Sequence, residues 1–237
     1  MIFRQLFERE SSTYTYLVAC EKTHHAVLID TVKSEVNLYL QLLEELSLKL
    51  VFVLDTHTHA DHITGAGALR DAAGAISLLG KEANSNCVSQ TICHNQIIHI
   101  GKIDLKALYT PGHTDDSYSF VIEEEQQPYL FFGDTLLIRG TGRTDFQNGN
   151  AAEQYDSLFR HLLKLPDNTL VYPGHDYKGW TVSTIAEEKE HNPRLQVRDL
   201  ASYVELMNNL KLPNPKMMDI AVPANLACGK NESSTKL

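Results

Sequence analysis

The sequence predicts a layered fold of the α/β or α+β class. Apolar runs of strand length occur in groups between stretches whose apolar residues recur every three or four positions. The chain has 237 residues, 43% of them hydrophobic, which is enough for one sizeable core. No apolar stretch approaches the ~20 residues that a transmembrane helix needs. Periodicity alone does not choose between the two classes.

Strands are predicted where short runs rich in apolar, β-branched or aromatic residues are bounded by polar turns. The segments 13–20 and 26–29 flank a polar turn and predict a hairpin, and LVFVLD at 50–55 predicts a buried strand. The predicted strands are 13–20, 26–29, 50–55, 76–79, 97–100, 105–109, 118–122, 129–132 and 169–172.

Helices are predicted where apolar residues line one face at three- and four-residue steps. The segment 63–73 contains two glycines, and the segment 155–163 ends near a proline. The predicted helices are 36–50, 63–73, 155–163, 181–191 and 199–210.

The charge balance argues against a nucleic-acid-binding protein. The chain has 21 Lys and Arg against 30 Asp and Glu, a formal net charge of −9, and it has no basic run. An anionic ligand would therefore need a local cationic pocket.

The cysteines and the N-terminus suggest a compartment. The four cysteines, including Cys228, form no C-x-x-C pair, which predicts free thiols in a reducing cytosol. The first residues lack a basic region followed by an apolar stretch. We expect a bacterial cytoplasm, although a mitochondrial matrix protein whose leader had been removed would look the same.

A cluster of metal-ligand side chains directly follows the strand LVFVLD. His57, His59, Asp61 and His62 lie within the stretch THTHADH, and alternation places His57 and His59 on the same side of the chain. Imidazole and carboxylate groups so arranged are metal ligands. A chance cluster of histidines on a polar loop is the competing interpretation.

Three further candidate ligands repeat this placement after apolar runs. They are His113 in YTPGHTDDS, Asp134 in YLFFGDT and His175 in LVYPGHD, each directly preceded by glycine. A glycine at that position leaves room for a close backbone turn. The repetition predicts a metal site built from several strand ends.

This set of residues resembles the metallo-β-lactamase superfamily. The resemblance implies a four-layered αββα sandwich and one catalytic domain over residues 1–237. In hydrolases of the superfamily, two zinc ions are held by these residues, with Asp134 bridging them. The first zinc would take His57, His59 and His113, and the second Asp61, His62 and His175. A dinuclear zinc hydroxyacylglutathione hydrolase, a thioesterase, is therefore one interpretation.

The flanking segments resemble a different branch, the persulfide dioxygenases, also called sulfur dioxygenases or the ethylmalonic encephalopathy protein family. The most discriminating segments are GRTDFQ at 142–147 and MDIAVPANLACG at 218–229. The resemblance implies one Fe(II) per chain, held by His57, His113 and Asp134. It also implies sulfide detoxification, in which glutathione persulfide, O₂ and water give sulfite and glutathione.

The same resemblance assigns substrate-binding and supporting residues. Arg143 and Arg194 would bind the carboxylates of glutathione, since a guanidinium can hold a carboxylate through two hydrogen bonds. Tyr177 would donate a hydrogen bond near the thiol. Residues that would orient ligands, hold waters or, in the alternative, bind a second metal are His59, Asp61, His62, His175 and Asp176.

Two further expectations concern assembly and an alternative class. A homodimer is typical of the family, and neither nucleic acid nor a membrane is expected as a partner. A non-catalytic metal-binding or sulfur-carrier protein is the third functional interpretation.

Overall fold

The chain divides into two compact units in the computed structural model, which describes residues 1–213 and 217–230. The first unit consists of residues 1–92 and 99–103 with the described part of 214–237, and the second of 93–98 and 104–213. The assignment of residues 1–237 to one catalytic domain stays a prediction.

The first of two six-stranded sheets has its strands in sequence order, β1 to β6. The pairs β1–β2 and β2–β3 are antiparallel, whereas β3 to β6 run parallel, with helices in the β3–β4 and β4–β5 connections. Parallel strands end at the same edge of a sheet, so the segments that follow β3 and β4 are neighbours. The strands are Ile2–Glu8, Thr13–Ala19, His25–Ile29, Lys49–Leu54, Ile76–Gly80 and Gln90–Ile92.

The second sheet has the reverse order, β12 to β7. Strands β8, β9 and β10 are antiparallel neighbours, and β10 pairs in parallel with β11. Each sheet therefore mixes parallel and antiparallel pairs. The strands β7 to β12 are Ile97–Ile100, Ile103–Tyr109, Tyr118–Ile122, Tyr129–Phe131, Leu170–Tyr172 and Ser183–Thr184.

Helices pack on an apolar core in each unit. In the first unit, Tyr39 and Leu69 from helices pack with Leu28 from β3. In the second, Leu158 and Tyr203 pack with Leu130 from β10. Helix α3 continues as a π-helical turn over 157–161 and a 3-10 turn over 162–164. The helices α1 to α6 are Val36–Glu45, Ala66–Ala73, Ala151–Asp156, Ile185–His191, Leu200–Asn208 and Met218–Leu226.

The predicted α/β class is confirmed, but several helix ends differ. Helix α1 ends at Glu45, because Ser47 takes a positive φ of 53° and the chain turns directly into β4. Helix α2 begins at Ala66, because residues 63–65 form backbone bonds with the segment after β3. Thr184 belongs to β12, and its hydroxyl caps α4.

Four of the numbered elements in the described residues were not predicted from the sequence. They are β1, β6, β12 and α6. Strand β12 has only two residues and lies within the predicted helix 181–191. Strand β1 has no clear alternation of exposed and buried side chains, and β6 has only three residues. Helix α6 contains Pro223, which obscures its helical pattern. No helix in residues 1–213 or 217–230 is both long and apolar enough to cross a membrane.

The cysteines differ from the prediction of four free thiols. Cys87 and Cys228 form a disulfide that joins positions 141 residues apart, whereas Cys20 and Cys93 are free. The prediction failed for the bonded pair because the fold brings the end of α6 to the segment after β5, a proximity that cysteine spacing does not reveal.

Replacing Cys87 by Ser should lower the free energy of unfolding by about 2–4 kcal/mol, because the disulfide restricts the unfolded chain over a long loop. Urea denaturation without reductant measures the change. Cys93→Ser is the matched control, since Cys93 is exposed and unbonded, and its midpoint should not change. Equal midpoints for the oxidised wild type and Cys87→Ser would contradict the stabilising role.

Candidate metal centre

The buried carboxylate of Asp30 organises the first group of candidate ligands. Asp30 directly follows β3 and is 1% exposed. Its Oδ1 accepts hydrogen bonds from the Thr56 N–H at 2.7 Å and from His59 Nε2 at 3.1 Å. Its Oδ2 accepts from the Thr56 hydroxyl at 3.0 Å. Burial raises the pKa of Asp30, while these donors and the nearby histidines oppose that shift.

This network determines which nitrogen of His57 can bind a metal. His57 Nδ1 lies 2.9 Å from Thr56 Oγ1, and that hydroxyl gives its own hydrogen to Asp30. The hydroxyl oxygen therefore accepts the Nδ1–H of His57. A neutral imidazole protonated on Nδ1 carries its lone pair on Nε2. His57 is 2% exposed, and Nε2 is the ring nitrogen that could bind a metal.

His59 and His62 are oriented by different partners within the same loop. His59 donates from Nε2 to Asp30, so its lone pair lies on Nδ1. His62 Nδ1 lies 3.1 Å from Asp61 Oδ2 and 3.3 Å from Thr13 Oγ1. A carboxylate can only accept, so Nδ1 of His62 is the donor. The rings of His57 and His62 each lie within 4.3 Å of the His59 ring centroid.

A second buried carboxylate, Asp55, lies at the end of β4. Burial is the main cause that raises the pKa of Asp55 to about 7, and the nearby carboxylate of Asp30 adds to the rise. The Thr64 hydroxyl donates a hydrogen bond to Asp55 Oδ2 at 2.7 Å. Asp30, Asp55 and His59 each place one ligand atom within 4.8 Å of the others. Both oxygens of Asp30 accept hydrogen bonds from the loop, so Asp30 orients the loop.

In the second unit, His113 is oriented by a backbone carbonyl. His113 lies in the loop after β8, and its Nδ1 donates to Arg143 O at 2.8 Å. Its lone pair is therefore on Nε2, as for His57. A Cβ on Gly142 would lie 2.7 Å from His113 Nδ1, so this approach requires glycine.

Asp134 lies between two imidazoles of the second unit. His113 Nε2 is 3.6 Å from Asp134 Oδ2, and His175 Nε2 is 3.6 Å from Asp134 Oδ1. These separations are too long for hydrogen bonds but fit ligand atoms around a shared cation. Within the described part of the chain, buried Asp134 Oδ1 has no hydrogen-bond partner. A Cβ on Gly174 would lie 2.7 Å from that oxygen.

His113, Asp134 and His175 have the chemistry of metal ligands. A buried carboxylate oxygen without a donor is costly unless a cation compensates it. Two imidazoles and a carboxylate are ligands common to iron and zinc. The residues present therefore fit a bound transition metal, without distinguishing which one.

The two arginines predicted to bind substrate make contacts within the second unit. Arg143 pairs with Asp145, with its Nε 2.6 Å from Oδ1, and its guanidinium lies 4.1 Å from the Phe146 ring centroid. Arg194 donates to the carbonyl and hydroxyl of Thr141. Burial lowers the pKa of Arg194. Thus the side chains of both arginines already bind protein groups.

The loop after His175 is shaped by Asp176 and exposes Tyr177. Asp176 Oδ2 accepts hydrogen bonds from consecutive backbone N–H groups, including those of Lys178 and Trp180 at 2.8 Å. Tyr177 is 71% exposed, and its ring lies parallel to the His175 ring at a centroid distance of 6.2 Å. Asp176 therefore has a structural role in holding this loop. The structure places Tyr177 beside a candidate ligand.

Sequence reasoning missed three residues that orient the histidine loop: Asp30, Thr56 and Asn225. Asn225 bonds the backbone at His59 and His62. A signal existed for Asp30, because it follows the apolar run AVLI as His57 follows LVFVL. Asn225 occurs in a segment already noted for its resemblance, but nothing in its local sequence indicates a contact 163 residues away.

Comparisons with known proteins identify the family of this chain. The model of the metallo-beta-lactamase superfamily matches residues 9–85 and 92–175. The mitochondrial persulfide dioxygenase ETHE1 of Mus musculus is 44% identical over 97% of this chain and 89% of its own length. The crystal structure of ETHE1 from Myxococcus xanthus has 53% identity and a TM-score of 0.93, covering 97% of this chain and 100% of the other.

A hydrolase relative is less similar. The hydroxyacylglutathione hydrolase of Dictyostelium discoideum is 34% identical over 77% of this chain and 69% of its own length. The greater identity and coverage of the persulfide dioxygenases, together with the structural match, confirm the predicted metallo-β-lactamase fold and the predicted branch. The chain belongs to the persulfide dioxygenase family of the metallo-β-lactamase superfamily.

Proposed function

We propose that this protein is a non-haem iron dioxygenase that oxidises glutathione persulfide to sulfite and glutathione. The observation that carries the proposal is the similarity to persulfide dioxygenases over 97% of the chain, which exceeds the similarity to the hydrolase in both identity and extent. The balanced reaction is GSSH + O₂ + H₂O → GSH + SO₃²⁻ + 2H⁺. Its physiological role would be sulfide detoxification.

We assign one Fe(II) per chain to His57, His113 and Asp134, the set that the family resemblance implies. The hydrogen bonds that leave Nε2 as the basic nitrogen of His57 and His113 support this assignment. Bound there, Fe(II) would supply a site with open positions for the persulfide sulfur and O₂. The protein residues would hold the ring orientations and exclude alternative tautomers.

A dinuclear zinc hydroxyacylglutathione hydrolase is the second candidate. The observation that favours it is the placement of His113 and His175 opposite different oxygens of Asp134, as a bridging carboxylate requires. In that alternative, His57 and His59 would join His113 at one zinc, and Asp61 and His62 would join His175 at the other. In the iron enzyme, His59, Asp61, His62, His175 and Asp176 would instead orient ligands or hold waters.

Substrate recognition would use the carboxylates of glutathione. Arg143 is the stronger candidate, because its present partner Asp145 is 58% exposed and can yield to a substrate carboxylate. Arg194 would provide a second positive charge, and Tyr177 a hydrogen bond to the thiol group. Because the chain has a net charge of −9, an anionic ligand needs a local positive charge, and these arginines would supply it.

Assembly and location stay predictions. A homodimer follows from the family resemblance and is tested by light scattering of the metal-loaded protein. The bacterial cytoplasm and the mitochondrial matrix are the two predicted locations.

Anaerobically purified protein should contain about one iron per chain and consume O₂ when glutathione persulfide is added. Metal analysis and an oxygen electrode measure the two quantities, with sulfite release as the product readout. Two zinc ions per chain, cleavage of S-lactoylglutathione and no O₂ uptake would establish the hydrolase instead. Metal binding without either activity would favour a carrier protein.

His113→Ala should abolish iron retention, because it removes an imidazole that faces Asp134. Iron per chain after gel filtration is the measurement, with circular dichroism to verify folding. His191→Ala is the control, since that exposed histidine on α4 should not affect iron content. Full iron occupancy in folded His113→Ala would refute the ligand assignment.

Arg143→Ala should raise KM for glutathione persulfide about tenfold with little change in kcat, because a charge-assisted bond to a substrate carboxylate contributes mainly to binding. Steady-state O₂ uptake separates the two constants. Arg160→Ala provides the control, since Arg160 is 68% exposed and pairs with Asp156. Unchanged KM and kcat in Arg143→Ala would remove this residue from the substrate site.

A further inference from the structure

The side chain of Asn225, on the last turn of α6, joins three backbone positions of the histidine loop. Its Nδ2 donates to His59 O at 2.9 Å and to His62 O at 2.8 Å, and its Oδ1 accepts from Thr64 N at 2.8 Å. Asn225 is 6% exposed, so these bonds are shielded from water. One side-chain amide thus bonds two backbone carbonyls and one backbone N–H within residues 59–64.

The loop depends on such external bonds because it has no regular structure of its own. Residues 55–63 belong to neither a helix nor a strand, yet most of them are buried. Buried backbone groups in an irregular segment need partners, and each one left unpaired costs about 1–3 kcal/mol. Asn225 supplies those partners on the backbone, while Asp30 orients the side chains of the same loop through Thr56 and His59.

The C-terminal segment that carries Asn225 is itself held tightly in the first unit. The disulfide between Cys87 and Cys228 anchors it, and the Ser85 hydroxyl donates to Leu226 O at 3.0 Å. A Cβ on Gly67 would lie 2.3 Å from Cys228 O, so α2 and this segment are in close backbone contact. The amide of Asn225 is therefore presented from a well-supported position.

We propose that Asn225 is a positioning residue for the metal centre. It holds the backbone of residues 59–64 and so keeps His59 bonded to Asp30, the carboxylate that orients His57 through Thr56. The inference rests on the proposed function only for the identity of the bound metal, Fe(II). In metal-free protein, the three bonds would keep the loop close to its metal-bound conformation, so that little rearrangement accompanies binding. Loss of the amide donor would then weaken metal binding even in a folded protein.

Asn225→Asp tests this role with little change in shape. Aspartate retains an acceptor for Thr64 N–H but loses the donor to both carbonyls. We expect Fe(II) affinity, measured anaerobically by competition with a ferrous chelator, to fall about tenfold. The visible spectrum of the Co(II)-loaded variant should also shift, because ligand geometry changes. Asn209→Asp is the matched control, since Asn209 is an exposed asparagine at the end of α5.

Two outcomes would overturn the proposal. One is a folded Asn225→Asp protein with wild-type Fe(II) affinity and an unchanged Co(II) spectrum, since a purely structural role would lower only the melting temperature. If the variant does not fold, hydrogen exchange of the wild type decides. The Thr64 amide should exchange more slowly after Fe(II) binds, and equal rates with and without metal would refute the coupling.

Failure of the proposed function gives a different pattern. A wild-type protein that binds Zn(II) but not Fe(II) would contradict the dioxygenase assignment. The same competition and exchange measurements with Zn(II) would then test Asn225. Weaker Zn(II) binding by Asn225→Asp would uphold the positioning role, and equal binding would overturn it.

Discussion

The histidine loop depends above all on the buried carboxylate of Asp30. Its two oxygens accept bonds from Thr56 and His59, and Thr56 in turn accepts from His57. One carboxylate thereby orients two imidazoles and determines which nitrogen of each carries the lone pair. Asp30 has a positive φ of 53°, a conformation that aspartate tolerates better than most residues. The loop gains its order from these hydrogen bonds and those of Asn225, and not from regular secondary structure.

The second unit achieves the same result with a backbone carbonyl. Arg143 O accepts the Nδ1–H of His113, and glycine at position 142 permits the approach. Asp134 then has two imidazole nitrogens 3.6 Å from its oxygens, as ligands around a cation would be. Both units thus contain imidazole rings that are oriented before a metal binds. The free-energy cost of ordering those rings arises during folding and not during metal binding.

Local patterns revealed the candidate ligands but not the groups that orient them. His113, Asp134 and His175 were predicted because each follows an apolar run and a glycine, a signal contained in a few residues. Asp30 acts on Thr56 across 26 positions and Asn225 on Thr64 across 161, so only the folded chain brings them together. Likewise, two helix ends differ from the prediction, because a left-handed residue, Ser47, ends α1 and tertiary backbone bonds of residues 63–65 delay the start of α2.

Hydrogen bonds set the tautomers of the candidate histidine ligands before metal binds. Two-bond ¹H–¹⁵N correlation spectra of the imidazole rings in metal-free protein measure these tautomers. For His57 and His113, we expect a protonated Nδ1 and an unprotonated Nε2, with the Nε2 resonance shifting when Zn(II) is added as a diamagnetic probe. A proton on Nε2 of either ring in the metal-free protein, or metal coordination through Nδ1, would contradict this expectation.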